Sequence, residues 1–127
     1  MGSGLMTEGP DKLEARTRTF ALRIVRLCQA LPNGKVADVL GKQLLRSGTS
    51  VGANYRAACR GRSRAEFVAK LGIVEEELDE CLYWMDLICE AKLIDLPRLD
   101  PLMTEASELL AMTVASIRTA RAKKPKR

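Results

Sequence analysis

The sequence predicts an all-α protein, folded as an up-down-up-down antiparallel four-helix bundle. Three observations predict it. Apolar residues recur at alternating spacings of three and four along most of the chain, which lays them on one stripe of a helix. Aromatic residues make up only 4% of a chain that is 46% hydrophobic, and the apolar residues are mainly Leu, Ala, Val and Ile; a β-sandwich would be richer in rings and β-branched side chains. The breaks between periodic segments are short, and short connections join antiparallel neighbours. At 127 residues the chain is one domain, with enough apolar material for a core that needs no disulfide or metal staple. The bundle is expected over residues 11–122. Residues 1–10 are expected to be disordered or a remnant of cloning, and residues 123–127 to form a frayed basic tail.

The first helix is predicted from about Asp11 to Leu31, on a stripe of Leu13, Thr17, Phe20, Ile24, Leu27 and Leu31. Pro32-Asn33-Gly34 stops it, because proline cannot continue the helix and Asn-Gly favours a turn. The second helix is predicted from about Val36 to Arg60, with Leu40, Leu44, Ser47, Val51, Asn54 and Ala58 turned inward. Gly41, Gly48 and Gly52 each cost this helix about 1 kcal/mol relative to alanine. Gly48 and Gly52 share one face, as expected where another backbone approaches closely. The third helix opens on a capping box, with Ser63 as N-cap and Glu66 reaching back to it. Phe67, Leu71, Val74, Leu78, Cys81, Met85 and Ile88 then repeat without a slip, while Glu75, Glu76, Glu77, Asp79 and Glu80 are expected to cover much of the outside. The fourth helix is predicted to begin between Pro97 and Pro101, with Asp100 and Pro101 suited to N-cap and first turn. Its stripe is Leu102, Ala106, Leu110 (with Leu109), Thr113, Ile117 and Ala120.

Composition removes several classes of function. No run of eighteen apolar residues occurs, so no membrane span is expected. The N-terminus has no basic start followed by an apolar stretch, so it does not read as a signal peptide. The four cysteines (Cys28, Cys59, Cys81, Cys89) form no CxxC pair and the chain has no histidine, so no metal site or other cofactor is expected. Free cysteines behave as small apolar residues in a reducing cytoplasm, which is the expected location. Without histidine there is no Ser-His or Cys-His nucleophile pair, and no side chain poised near neutral pH. A carboxylate mechanism on Glu76 or Glu80 is disfavoured because both stand in an acid-rich zone, so no enzyme activity is expected.

Charge is placed unevenly. Residues 42–70 carry seven basic groups and one acid, residues 71–100 nine acids and two basic groups, and residues 101–127 six basic groups and two acids. Three readings stay open. Arg56, Arg60, Arg62 and Arg64 bind phosphate at the junction of the second and third helices, aided by amides at the start of the third helix and by Arg118, Arg121, Lys123 and Lys124 near the C-terminus. Alternatively, basic and acidic zones of different subunits meet across an oligomer interface. In the plainest reading, both zones are solvated surface. No aromatic ladder interleaves the arginines, so nucleic acid would be held by its backbone with little base readout. Ser47 and Asn54 are expected to be a buried, satisfied polar pair, with a ligand site as the lesser alternative. Trp84, beside Tyr83, either flanks the core, fills a contact between subunits, or anchors a partner.

The run from Ser47 to Ile88 resembles the 23S rRNA intervening-sequence protein (S23) family. The resemblance rests on Ser47, Ser50, Gly52, Ala53, Asn54, Ser63, Glu66, Phe67, Lys70, Leu71, Glu76, Glu80, Tyr83 and Trp84. Many relatives carry acids just after the asparagine, where this chain has Arg56 and Ala57, so this chain is more basic there. The resemblance implies a four-helix bundle that assembles as a homo-oligomer, a pentameric ring, with no enzyme activity. It also implies kinship with the accessory protein of diversity-generating retroelements, a basic pentamer that binds nucleic acid and partners a reverse transcriptase. The expected function is thus a homo-oligomeric scaffold binding RNA or DNA backbone. The alternative is a protein–protein adaptor ring with no nucleic-acid affinity.

Overall fold

The computed structural model describes the backbone of residues 9–123 and the side chains of residues 12–123. Four helices follow one another: α1 (Gly9–Gln29), α2 (Lys35–Cys59), α3 (Arg64–Glu90) and α4 (Leu96–Ala122). The connections are four or five residues long, so consecutive helices run antiparallel. Extensive packing of α1 on α2, α2 on α3 and α3 on α4 builds the bundle, and a sparser α1–α4 seam closes it. The expectations for residues 1–8 and 124–127 lie outside the described residues.

The predicted stripes form the core. Phe20, Ile24, Leu44, Val51, Leu71, Val74, Leu78, Met85, Ile88 and Leu99 are wholly buried, each worth about 1.5–3 kcal/mol of apolar transfer. Three polar residues join them, and each bonds within its own helix. The hydroxyls of Thr17, Ser47 and Thr113 donate to the carbonyls of Glu14 (3.1 Å), Gln43 (3.0 Å) and Leu109 (2.7 Å).

Four details differ from the sequence reading. First, α2 buries two faces rather than one stripe, because it lies between α1 and α3. Tyr55 is only 3% exposed, while Asn54 stays half-buried at the α3 side. Second, in α4 Leu109 is buried and Leu110 only flanks the core. Third, α4 starts at Leu96 on the N-cap Asp95, so Pro97 takes a first-turn position and Pro101 falls inside the helix. Pro97 costs the helix nothing, since first-turn N–H groups have no partner in the helix anyway, whereas Pro101 leaves the Pro97 carbonyl without its usual donor. Fourth, the capping box is offset. Ser63 Oγ accepts from the Glu66 N–H (3.1 Å) as predicted, but Glu66 Oε1 accepts from the Arg62 N–H (2.8 Å), one residue before the cap.

The glycines of α2 serve the α1 side. A Cβ on Gly48 would stand 2.8 Å from Ile24 Cγ1 and Cγ2, so only glycine lets α1 approach this closely. Helix α3 ends in a Schellman motif, with Leu93 N–H donating to Ile88 O (3.0 Å) and Lys92 N–H to Cys89 O (2.9 Å). The left-handed position is filled by Lys92 (φ 61°), where glycine is usual.

Candidate functional site

The α2–α3 connection and the end of α4 meet at one end of the bundle. The chain leaves α2 at Cys59, makes a tight turn through Arg60 and Gly61, and enters α3 at Arg64 under the Ser63 cap. Arg64 Nη1 donates to the Lys123 carbonyl at the C-terminus of α4. That contact joins the loop arginines to the last turns of α4, which carry Arg118, Arg121 and Lys123. Arg60, Arg62, Arg64, Arg118, Arg121 and Lys123 are all exposed. Among the described residues, none of the six pairs with a carboxylate. Lys124 lies outside the described residues.

Arg56, four residues before Arg60, lines the α1–α2 groove with Glu14, Arg18, Thr49 and Gly52. At the start of α3, Ser63 Oγ takes the Glu66 N–H and the Ser63 carbonyl takes the Phe67 N–H, while the Glu66 carboxylate sits against the Arg62 N–H.

Arginine plays the opposite part along the α2–α3 seam. Arg46 Nη2 donates to Glu80 Oε1 at 2.5 Å, and its Nη1 lies 3.3 Å from Glu77 Oε1. The Glu80 hydrogen bond, ahead of the charges of Glu77 and Glu80, holds the Arg46 guanidinium above its ordinary range. Arg46 also donates to Ser47 Oγ (3.1 Å), Ser50 Oγ donates to Glu77 Oε2 (3.2 Å), and Asn54 Nδ2 donates to Ser50 Oγ (2.8 Å). Ser47 and Asn54 therefore do not form a pair. They are the two ends of one chain of hydrogen bonds running through Arg46, Glu77 and Ser50. Glu77, expected outside, is a seam residue whose side chain is 14% exposed. The sequence held a signal for this network. Ser47, Ser50 and Asn54 share a face of α2 with three-and-four spacing, and Glu77 and Glu80 share a face of α3.

The ion-paired residues also fix the register of the seam. Arg46 lies against Glu80 and Ser50 against Glu77, as two antiparallel helices require. The Trp84 indole N–H is buried without a hydrogen-bond partner among the described residues. Tyr83 packs edge-on against it, with ring centroids 5.0 Å apart, and remains 57% exposed.

Two of the cysteines are electrically silent. Burial pushes the Cys28 thiol up to about 11. Burial, with the charges of Glu77 and Glu80, pushes Cys81 up to about 12. Thiolate chemistry near neutral pH is thereby suppressed at both. Among the described residues no three His, Cys, Asp or Glu side chains converge to hold a metal. No described helix is long and apolar enough to cross a membrane.

Residues 12–115 match the model of the 23S rRNA-intervening sequence protein family. A solved structure from Bacteroides thetaiotaomicron, described as a protein with unknown function from the S23 ribosomal protein family, is 35% identical. It superposes with a TM-score of 0.79 over 84% of this chain and 98% of that one. No curated protein matches the chain.

Proposed function

We propose that this chain, which belongs to the 23S rRNA-intervening sequence protein family, is a non-enzymatic homo-oligomeric scaffold that grips nucleic-acid backbone with the basic end of its bundle. One observation carries the reading. The contact from Arg64 to the Lys123 carbonyl draws two stretches far apart in sequence into one cationic surface whose basic side chains make no ion pair among the described residues. Guanidinium groups in that setting suit phosphate oxygens, which they can engage as a fork. Tyr55 is buried and Phe67 packs against the core, so no ring near Arg56 or Arg64 is free to stack on a base. Recognition is therefore by shape and charge, with affinity set by salt.

The test is binding of RNA and DNA duplexes across a salt series, with particle mass measured in each buffer. With four or five phosphate contacts, affinity falls roughly 10²–10³-fold between about 50 and 200 mM salt, on a particle of constant mass. Binding that ignores salt sinks the reading.

A second reading, the protein adaptor, is favoured by Trp84 and Tyr83. A buried indole N–H without a partner among the described residues, beside a half-exposed ring, suits contact with another polypeptide. An intact oligomer with no affinity for either duplex at low salt selects that reading.

A further inference from the structure

The α1–α4 seam repeats one arrangement with its charge reversed. Near the start of α1, Arg16 reaches across the seam to Glu105 (2.6 Å) and Glu108 (3.1 Å) on α4. The Glu105 hydrogen bond, first among its causes, raises the Arg16 guanidinium above its ordinary range. The two helices are antiparallel, so one heptad forward on α1 faces one heptad back on α4. That step leads from Arg16 to Arg23 and from Glu105 to Arg98. Where the first level sets an acid against an arginine, the second sets arginine against arginine.

The structure builds a cleft at that second level. Arg23, Arg26 and Arg98 line it, over a floor of Leu27 and Leu102, and it holds about 260 Å³. No acid lines it, and among the described residues none of the three arginines has an ion-pair partner. Asp100, close in sequence, faces the other way and lines the α3–α4 groove with Leu82 and Met103. Arg98 occupies the first turn of α4, whose positive end adds to the field. Arginine does not shed its proton to relieve such crowding, so three together favour an anion between them.

We infer that this cleft binds a phosphate group. Arg23 and Arg26 hold it from α1 and Arg98 from α4, at the opposite end of the bundle from Arg60, Arg62 and Arg64. The apolar floor contributes no donor, so the guanidinium forks do the recognising. The phosphate comes either from a nucleic-acid strand or from a small phosphorylated molecule. The site does not depend on the function proposed above for the basic end.

The probe is inorganic pyrophosphate, titrated against sodium chloride at matched ionic strength and read by calorimetry and thermal melting. Pyrophosphate is expected to bind and to raise the melting temperature of the unaltered protein. The variant carrying Arg23→Gln and Arg98→Gln is expected to bind it at least about tenfold more weakly and to lose the shift. The variant Lys42→Gln, at an exposed position of α2 outside both basic surfaces, is expected to keep both. Should the double variant fold poorly, Arg98→Gln alone, at an exposed first-turn position, gives the same comparison. A duplex arm separates the sources. If the cleft takes nucleic acid, the double variant also loses duplex affinity; if it takes a small phosphate, duplex affinity stays and only pyrophosphate binding falls. Equal pyrophosphate responses in all three proteins overturn the inference. So does a change of particle mass in the double variant, since the arginines would then be meeting acids of another copy.

Discussion

Arg46 and Arg64 stand on neighbouring helices of one small bundle and do different work. Arg46 lies on the α2–α3 seam, where Glu77 and Glu80 reach it from the facing helix and Ser47, Ser50 and Asn54 extend the network. Arg64 lies at the basic end, where its described partner is a backbone carbonyl, and its neighbours Arg60, Arg62, Arg118, Arg121 and Lys123 make no side-chain ion pair among the described residues. The difference teaches that the facing helix, not the arginine itself, decides the role. Where α3 supplies acids, arginine stitches helices together. Where acids are withheld, the charge is left for something outside the protein.

The largest expected effect breaks this contrast at the basic end. Replacing Arg60, Arg62 and Arg64 together by glutamine is expected to cost duplex affinity about a hundredfold near physiological salt, and to flatten the salt slope by about one per arginine lost. The melting temperature should hardly move, because these side chains are exposed. Equilibrium titration and calorimetry on the same samples check both halves.

The next breaks it at the seam. Glu77→Ala removes the acceptor of the half-buried Ser50 hydroxyl, while Arg46 keeps Glu80, and is expected to cost about 1 kcal/mol in denaturant unfolding, with duplex binding unchanged.

A third prediction sharpens the picture of the seam through pH. The Cys28 and Cys81 thiols have folded pKa values raised above the ordinary thiol value, chiefly by burial. A raised value means the folded state holds the proton more tightly than the unfolded chain. The stability from these thiols is therefore complete below about pH 9 and is lost as pH climbs towards 11 and beyond. Unfolding measured from pH 8 to 11 should fall less steeply in Cys81→Ala than in the unaltered protein; parallel curves would contradict this.

The smallest effect lies outside both regions and serves as a control. Lys92 holds a left-handed conformation in the Schellman turn (φ 61°). Lys92→Gly relieves that strain and is expected to stabilise by about 0.5–1 kcal/mol, leaving binding unchanged.

The fold was legible because its signals are local. The stripe from Leu71 to Ile88, the Ser63 cap and the Pro-Asn-Gly stop all lie within one helix or one turn. The start of α4 misled because Asp100-Pro101 and Asp95-Leu96-Pro97 offer two similar openings, and only packing of Leu99 into the core selects the earlier one. The site was less legible because its facts are pairings across helices. Nothing near Glu77 in sequence says that Arg46 will neutralise it. Nothing near Arg23 says that α4 will present Arg98 there rather than an acid. Nor does anything near Arg56 in sequence say that it will line the α1–α2 groove with Glu14 and Arg18. Nothing near Arg64 in sequence says that it will meet the Lys123 carbonyl at the end of α4.

The most direct measurement sets two variants side by side in one titration of labelled duplex, each also melted. They are Arg46→Gln at the seam and the triple Arg60→Gln, Arg62→Gln, Arg64→Gln at the basic end. The division of roles predicts that Arg46→Gln melts lower and binds as before, while the triple variant melts as before and binds far more weakly. If both lose affinity alike, or if the triple variant binds unchanged, then the uncompensated end is not what grips the phosphate backbone.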